Sequence, residues 1–332
     1  FMFDRADTMQ RPIAVNLSVG TDFGPHDGNM VWEQELASYI GAGHGGRAMV
    51  VAAGNSGSVA DAAVHQSVFV APTSRTRMPF VARGGSGSLQ VWIATRPGSQ
   101  LRVGLEGPDG EWIAPIAYGT TGGKSATGKK WEAAVIHGPR PNDDGIPAGS
   151  PSAVIVVSGA PPKGTYYATL VGTGSAEMWF QGSGSAGGGG FINGVREGTV
   201  NLPAAHPDIL AVGCTVNHPT WTSIAGGGVS LQAPALDAAG TPLLDMPGRR
   251  PLQGEPCWFS SAGPNLNGVP KPEISAPGGA VIGALSKQAK PEVPGSIFYD
   301  PSCPKPCKDG NCASDARCRQ IDALHGVALG TS

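Results

Sequence analysis

The chain has 332 residues, of which 51 are Gly and 30 are Pro, while charged residues make up 14% and the formal net charge is -2. This composition predicts many turns, excludes disorder driven by charge, and offers no Lys/Arg stripe that would bind nucleic acid. No run reaches the ~18 to 20 consecutive apolar residues that a bilayer helix needs, so we expect no membrane span.

The first segment predicts strand, helix and strand in turn. Residues 13–17 form a short apolar run after Pro12, and residues 48–53 form a second run that Gly54 ends. Between them, residues 30–40 have apolar side chains at helical spacing. A strand, a helix and a strand within forty residues indicate a parallel βαβ unit.

The middle segment predicts antiparallel strands. Short apolar runs separated by Gly, Pro and Asp turns occupy residues 89–93, 101–105, 133–136, 153–157, 166–171 and 176–180. No helical pattern intervenes, which favours an antiparallel sandwich or jelly roll folded as an insertion. Residues 182–190 are rich in Gly and Ser and read as a connector.

The last segment returns to buried strands, expected at 209–212, 273–276 and 281–285, and residues 287–319 read as a polar surface excursion. We therefore predict three regions: a first core part at 1–60, an inserted sandwich at 61–190, and a second core part at 191–332. The last region includes a Cys-rich loop at 300–320 and ends in Gly-Thr-Ser.

Asn55 and Ser332 are the candidates for chemistry. Asn55 follows an apolar strand, and the carboxyl ends of parallel strands collect active sites, where an amide N–H can donate to a developing oxyanion. A turn position for Asn55 is the alternative. Ser332 follows Gly330, and a serine at a strand-to-helix junction gains from the helix N-terminus. A plain loop is the alternative for Ser332, and the residues alone leave both questions open.

Five stretches, in this order, resemble the subtilisin-like serine proteases: VNLSVG (15–20), VAAGNSG (51–57), HPDILAVG (206–213), FSSAGP with KPEISAPG (259–264 and 271–278), and GTS (330–332). The resemblance covers most of the chain outside the middle insertion. It implies an α/β fold, namely a partial subtilisin-like parallel-sheet core with an inserted antiparallel β-sandwich or jelly-roll domain.

The resemblance also implies roles for individual residues. Ser332 matches the nucleophile and Asn55 the side-chain donor to the oxyanion. Ser18, Val19 and Gly20 match the family's segment that pairs with the substrate backbone. Ala52, Ala53 and Gly54 match a wall of the family's primary specificity pocket. Small residues in that wall leave room for a bulky substrate side chain, and a cis peptide bond is expected between His206 and Pro207.

The family's catalytic Asp and His signatures do not occur in this chain, which starts at Phe1 rather than Met. We therefore expect a fragment of a serine endopeptidase that hydrolyses no peptide by itself, because a serine without a base is a weak nucleophile. His26 and His325 read as surface or loop histidines rather than substitutes for that base. The expected partners are a polypeptide substrate and a propeptide or the remainder of the same protease.

Two other functions stay open. One is a pseudo-protease that binds peptides through Ser18, Val19 and Gly20 without cleaving them. The other is carbohydrate binding or adhesion through the insertion, whose Trp92, Trp112, Trp131 and Trp179 either line a sugar site or form its core.

The cysteines favour disulfides over metal binding. Cys303, Cys307, Cys312 and Cys318 are separated by three, four and five residues, a spacing that fits zinc knuckles poorly. We expect two disulfides there, with Cys214 and Cys257 as buried thiols or a third pair. Disulfides would mean a secreted, periplasmic or cell-surface protein. No cofactor is required and no metal ligands are assigned; the family often binds structural calcium, but no acidic loop identifies a site.

Overall fold

The computed structural model describes residues 1–60, 63–139, 145–184, 188–237, 242–243, 246–294, 296–300 and 317–331. The chain divides into two compact units. One consists of residues 1–212 and 261–274, and the other of residues 213–260 and 275–332.

The regular secondary structure of the described residues is mostly β-sheet, arranged in several sheets, with few helices. The helices are α1 (Met2–Thr8), α2 (Val31–Ala37) and a short 3-10 turn (Thr127–Lys129). The strands of the first unit are β1 (Ile13–Leu17), β2 (Arg47–Ala52), β3 (His65–Ala82), β4 (Gly87–Thr95), β5 (Gln100–Gly107), β6 (Gly110–Ile116), β7 (Thr120–Ser125), β8 (Trp131–His137), β9 (Ser152–Gly159), β10 (Gly164–Gly184) and β11 (Gly190–Phe191). β12 (Leu210–Val216) begins in the first unit and continues into the second, which also contains β13 (Thr220–Thr222), β14 (Gly228–Ser230), β15 (Ala235–Leu236), β16 (Pro242–Leu243), most of β17 (Ile274–Gly279), β18 (Val281–Ala284) and β19 (His325–Ala328).

A parallel sheet lies in the first unit. β2 pairs in parallel with β1 on one side and with the first residues of β12 on the other, as Leu17↔Val51 and Val212↔Ala52. Apolar side chains from all three strands, among them Val15, Met49 and Ala211, are buried in one cluster with Phe3 of α1 and Ala37 of α2. The predicted βαβ unit is therefore present, although its helix is shorter than the 30–40 pattern indicated.

A larger antiparallel sheet is built on two long strands. β3 and β10 pair from Gly164↔Ala82 to Trp179↔His65, with an irregularity between Gly172 and Gly174. On its other edge β10 pairs first with β5 and then, beyond the irregularity, with β4. The sheet continues from β4 through β9 and β8 to β7. On the other side, β6 pairs with β5, and residues of β6 also lie close to β7 and β8.

The tryptophans of this sheet are packing residues. Trp92 and Trp179 are 1% exposed and Trp112 is 7% exposed. Trp131 is partly buried and stacks on Trp112 with ring centroids 3.8 Å apart. The rings proposed for a sugar site are therefore used in the hydrophobic core.

The second unit has its own small core. Within it the later residues of β12 and β17 are neighbours, and antiparallel pairs join β13 to β14, β15 to β16, and β18 to β19. Cys214 and Cys257 form a disulfide among buried residues that include Val216, Leu231 and Val327. Cys318 is also disulfide-bonded, whereas Cys303, Cys307 and Cys312 lie outside the described residues.

Several expectations need correction. The runs 166–171 and 176–180 belong to the single strand β10, which extends to Gly184 and takes in the start of the supposed connector. His206–Pro207 is not a cis bond; among the described residues the cis bonds are Leu202–Pro203, Gly263–Pro264 and Lys271–Pro272. Within the described ranges, the α/β class is present only as the parallel strands and short helices, and the other regular structure is β-sheet. The division at 60 and 190 stays a prediction.

Candidate functional site

Two segments assigned to substrate binding leave the same edge of the parallel sheet. Because β1 and β2 are adjacent and parallel, with Leu17 opposite Val51, residues 18–20 and 53–55 follow their carboxyl ends side by side. Ser18, Val19, Gly20 and Asn55 are exposed. Ala52 and Ala53 are buried beneath them. Ser332 lies outside the described residues.

The buried residue Asn201 contacts both segments. Its backbone N–H donates to the Ala53 carbonyl at 2.8 Å, and its side-chain oxygen accepts from Ser261 Oγ at 3.2 Å. Gly54 has φ +108°, and a Cβ there would fall 1.2 Å from Asn201 Oδ1. Only glycine fits at position 54, both for its left-handed backbone and for its contact with Asn201.

Asp22 is the half-buried carboxyl group of the site. Asn201 Nδ2 donates to Asp22 Oδ1 at 2.6 Å, and Ser56 Oγ donates to Asp22 Oδ2 at 2.7 Å. Burial raises the pKa of Asp22 to about 6, although the hydrogen bonds from Ser56 and Asn201 oppose that rise. Asp22 therefore titrates closer to neutral pH than an exposed aspartate does.

His26 lies in a loop, as expected, but the loop holds it inside the protein and not at the surface. Its ring is fully buried and stacks on Trp179 with centroids 4.3 Å apart. Nδ1 lies 2.6 Å from the Val200 carbonyl and Nε2 lies 3.1 Å from the Asp22 carbonyl. Burial lowers the pKa of His26 to about 4, although the two carbonyl groups oppose that fall. A neutral ring carries one N–H and can donate to only one of the two carbonyls. His325 is exposed, as expected, and pairs with Asp322.

Gln181 of β10 connects the antiparallel sheet to the loop that carries Asp22. Its side-chain oxygen accepts from Thr21 Oγ1 at 2.6 Å and from the Asp22 backbone N–H at 2.9 Å. Two residues earlier in β10, Trp179 covers His26 in the same loop. The loop that carries Thr21, Asp22 and His26 is thereby attached to β10, a strand about 160 positions later in the sequence.

A second polar cluster surrounds Glu177 on β10. His65 Nε2 lies 3.1 Å from one carboxylate oxygen and Arg96 donates to the other at 2.9 Å, beside a cavity of about 140 Å³. Burial raises the pKa of Glu177, but hydrogen bonds from His65, Ser67 and Arg96 outweigh it and lower the pKa to about 2. Glu177 is thus an ionised carboxylate whose charge is compensated within the protein.

Sequence reasoning did not assign roles to Asp22, Asn201 or Ser261. Ser261 lies in the FSSAGP motif (259–264), and Asn201 lies five residues before the HPDILAVG motif (206–213). Closeness to these motifs was the sequence signal that could have pointed to both residues. The pairing of Asp22 with Asn201 spans 179 positions, which no local pattern encodes.

The described part of the chain contains no cluster of three or more His, Cys, Asp or Glu side chains arranged to hold a metal ion. None of its helices has both the length and the apolar character needed to span a bilayer.

Comparison with known proteins gives a likeness of fold. No family model matches the chain, and no curated protein matches it. Among solved structures, the chain is similar to the CspB protease of Clostridium perfringens, with a TM-score of 0.61 and 17% sequence identity. The similarity covers 87% of this chain and 53% of that chain, so this chain spans about half the length of the structure it matches. At this identity the likeness concerns the fold alone.

Proposed function

We propose that the chain is part of a subtilisin-like serine endopeptidase with a partial subtilisin-like core. The observation that carries the proposal is that Ser18–Gly20 and Ala52–Asn55 leave adjacent parallel strands at one sheet edge. An extended peptide lying along the first segment would bring a carbonyl group toward the exposed Asn55 amide. The fold likeness to a clostridial protease supports the same conclusion.

The reaction would be acyl transfer. The Ser332 hydroxyl attacks the peptide carbonyl while a histidine base takes its proton, and the Asn55 amide and the Ser332 backbone N–H donate to the resulting oxyanion. Collapse releases the amine with that proton, and water hydrolyses the acyl-enzyme. The motifs in these 332 residues do not include that histidine or its aspartate, so we expect the isolated chain to hydrolyse no peptide.

The partners in this proposal are a polypeptide substrate and either a propeptide or the remaining part of the protease. We further propose an oxidising location, secreted, periplasmic or at the cell surface. The Cys214–Cys257 disulfide and the bonded Cys318 support it, because disulfides persist in such compartments.

The test compares the natural gene product that contains this chain with its Ser332→Ala and Asn55→Ala variants in a peptide-hydrolysis assay. We expect Ser332→Ala to abolish turnover. Asn55→Ala removes a donor that acts in the transition state, so kcat should fall by roughly 10²–10³ with KM little changed.

Asn193→Ala is the matched control, because Asn193 is also an exposed asparagine in a turn. It should leave kcat unchanged. Hydrolysis that survives Ser332→Ala would contradict the proposal. Peptide binding without any turnover by the gene product would instead support the non-catalytic peptide-binding alternative.

A further inference from the structure

The side chain of Asn201 occupies the space between the two substrate-binding segments. On one side, a Cβ on Gly54 would fall 1.2 Å from Asn201 Oδ1; on the other, a Cβ on Gly20 would fall 3.1 Å from Asn201 Cβ. One buried side chain therefore contacts both segments, where the small residues of the wall had suggested room for a bulky group. We propose that Asn201 closes the specificity pocket to large side chains, so that the enzyme cleaves after small residues such as Ala, Ser or Gly.

This inference rests on the proposed endopeptidase function and adds its substrate class. It concerns the substrate residue that contributes the scissile carbonyl, called P1. A large P1 side chain would have to displace Asn201 to enter between Gly20 and Gly54, whereas a methyl or hydroxymethyl group leaves Asn201 where it is.

Asn201 is held in place at three points. Its backbone N–H donates to the Ala53 carbonyl at 2.8 Å, its Nδ2 donates to Asp22 Oδ1 at 2.6 Å, and its Oδ1 accepts from Ser261 Oγ at 3.2 Å. The residue is 5% exposed. Rotating its side chain away would leave buried polar groups without partners, which proteins avoid.

The partners of Asn201 are themselves joined through Ser56. The Ser56 backbone N–H donates to Ser261 Oγ at 3.0 Å, and Ser56 Oγ donates to Asp22 Oδ2 at 2.7 Å. Asn201, Asp22, Ser56 and Ser261 therefore form a closed ring of hydrogen bonds, in which each side chain restrains its neighbours. A ring of this kind resists the rearrangement that a large P1 group would demand.

The experiment uses the natural gene product and a set of peptides that differ only at P1, with Ala, Ser, Leu or Phe. We expect kcat/KM for Ala to exceed that for Phe by roughly 10-fold or more, the scale on which pockets discriminate by size. Asn201→Gly should reduce or reverse this ratio by opening the space. Asn201→Ser is a milder variant that keeps a hydroxyl group toward Asp22 and should shift the ratio in the same direction.

Asn265→Ser is the matched control. Asn265 is also a buried asparagine, 2% exposed, and its hydrogen bonds go to Ala205, Asn267 and Val269 and to none of the ring residues. It should leave the Ala-to-Phe ratio unchanged. Wild-type turnover that favours Phe, or a ratio that neither Asn201 variant alters, overturns the inference and leaves the endopeptidase function intact. Hydrolysis of none of the peptides overturns the proposed function and this inference with it.

Discussion

Glu33 illustrates how burial sets the charge of a single side chain. It lies on the buried face of α2, where its Oε2 accepts from the Met30 backbone N–H at 3.3 Å. Its Oε1 is buried without a hydrogen-bond partner among the described residues. Burial, with a smaller contribution from the charge of Asp27, raises the pKa of Glu33 to about 8 against the Met30 hydrogen bond. Glu33 is therefore mostly protonated at pH 7.

Glu33 makes stability fall with rising pH. Its pKa in the folded protein, about 8, lies above the ordinary value of 4.5, so the folded state binds more protons than the unfolded state between these values. The stabilisation is complete below about pH 4.5 and is lost as pH rises through 8. Glu33→Gln should remove this slope and make the protein more stable than wild type at pH 9.

Denaturant unfolding between pH 6.5 and 9 measures this slope of stability with pH. Asp22, with a pKa near 6, and His26, with a pKa near 4, change the stability mainly below that pH range. Glu35→Gln, on the exposed side of the same helix, is the control and should keep the slope. A slope unchanged in Glu33→Gln would mean that this carboxyl is ionised in the folded protein.

The individual residues of the site were only partly predictable. The Asn55 turn and the Ser18–Gly20 segment carry short sequence patterns, and the structure brings them to one sheet edge. Asp22, Asn201 and Ser261 were not found, because the hydrogen bonds that join Asn201 to Asp22 and to Ser261 span 60 or more positions. Such contacts depend on tertiary packing rather than on local pattern.

At the scale of elements, strands with continuous apolar runs were predictable and long polar strands were not. β1 was predicted with its observed bounds and β2 to within a residue at each end. β3 was missed, because residues 71–79 have no fully buried side chain and their sequence, APTSRTRMP, shows neither an apolar run nor an apolar–polar alternation. What keeps β3 extended is its pairing with β10 along almost its whole length.

Gln181 gives β10 a measurable role in holding the loop of Asp22. Gln181→Ala would leave the Thr21 hydroxyl and the Asp22 backbone N–H without their acceptor. We expect the free energy of unfolding to fall by about 1–3 kcal/mol, and hydrogen exchange of the Asp22 amide to accelerate. Exchange mass spectrometry on a peptide covering residues 20–27 checks this.

Gln90→Ala is the control for that variant. Gln90 is the cross-strand neighbour of Gln181 on β4, and its side chain makes no hydrogen bond within the described ranges. It should leave exchange in residues 20–27 unchanged. Equal acceleration in both variants would show that sheet stability, and not the Gln181 amide, holds the loop.

At the scale of the whole molecule, the second unit depends on a covalent link. Cys214 and Cys257 are separated by 43 positions and lie in that unit's small buried cluster. A crosslink of this span typically adds about 2–4 kcal/mol to stability. The double variant Cys214→Ala, Cys257→Ala should therefore exchange its amide hydrogens in residues 213–260 much faster than wild type.

The β9 strand of the first unit is the internal control, because it has no part in that crosslink. Its exchange should not change in the double variant, as measured in the same exchange experiment. Unchanged exchange in residues 213–260 would mean that apolar packing around Val216 and Leu231 suffices without the disulfide.

The attachment of β10 to the loop at Thr21 limits how this protein can be shortened. Deleting residues 61–190 as a removable module would take away both Gln181 and the Trp179 ring that covers His26. The shortened chain would expose the His26 imidazole and loosen the segment that follows the substrate-binding residues. Natural or engineered changes in length near the C-terminal end of β10 should therefore be tolerated poorly.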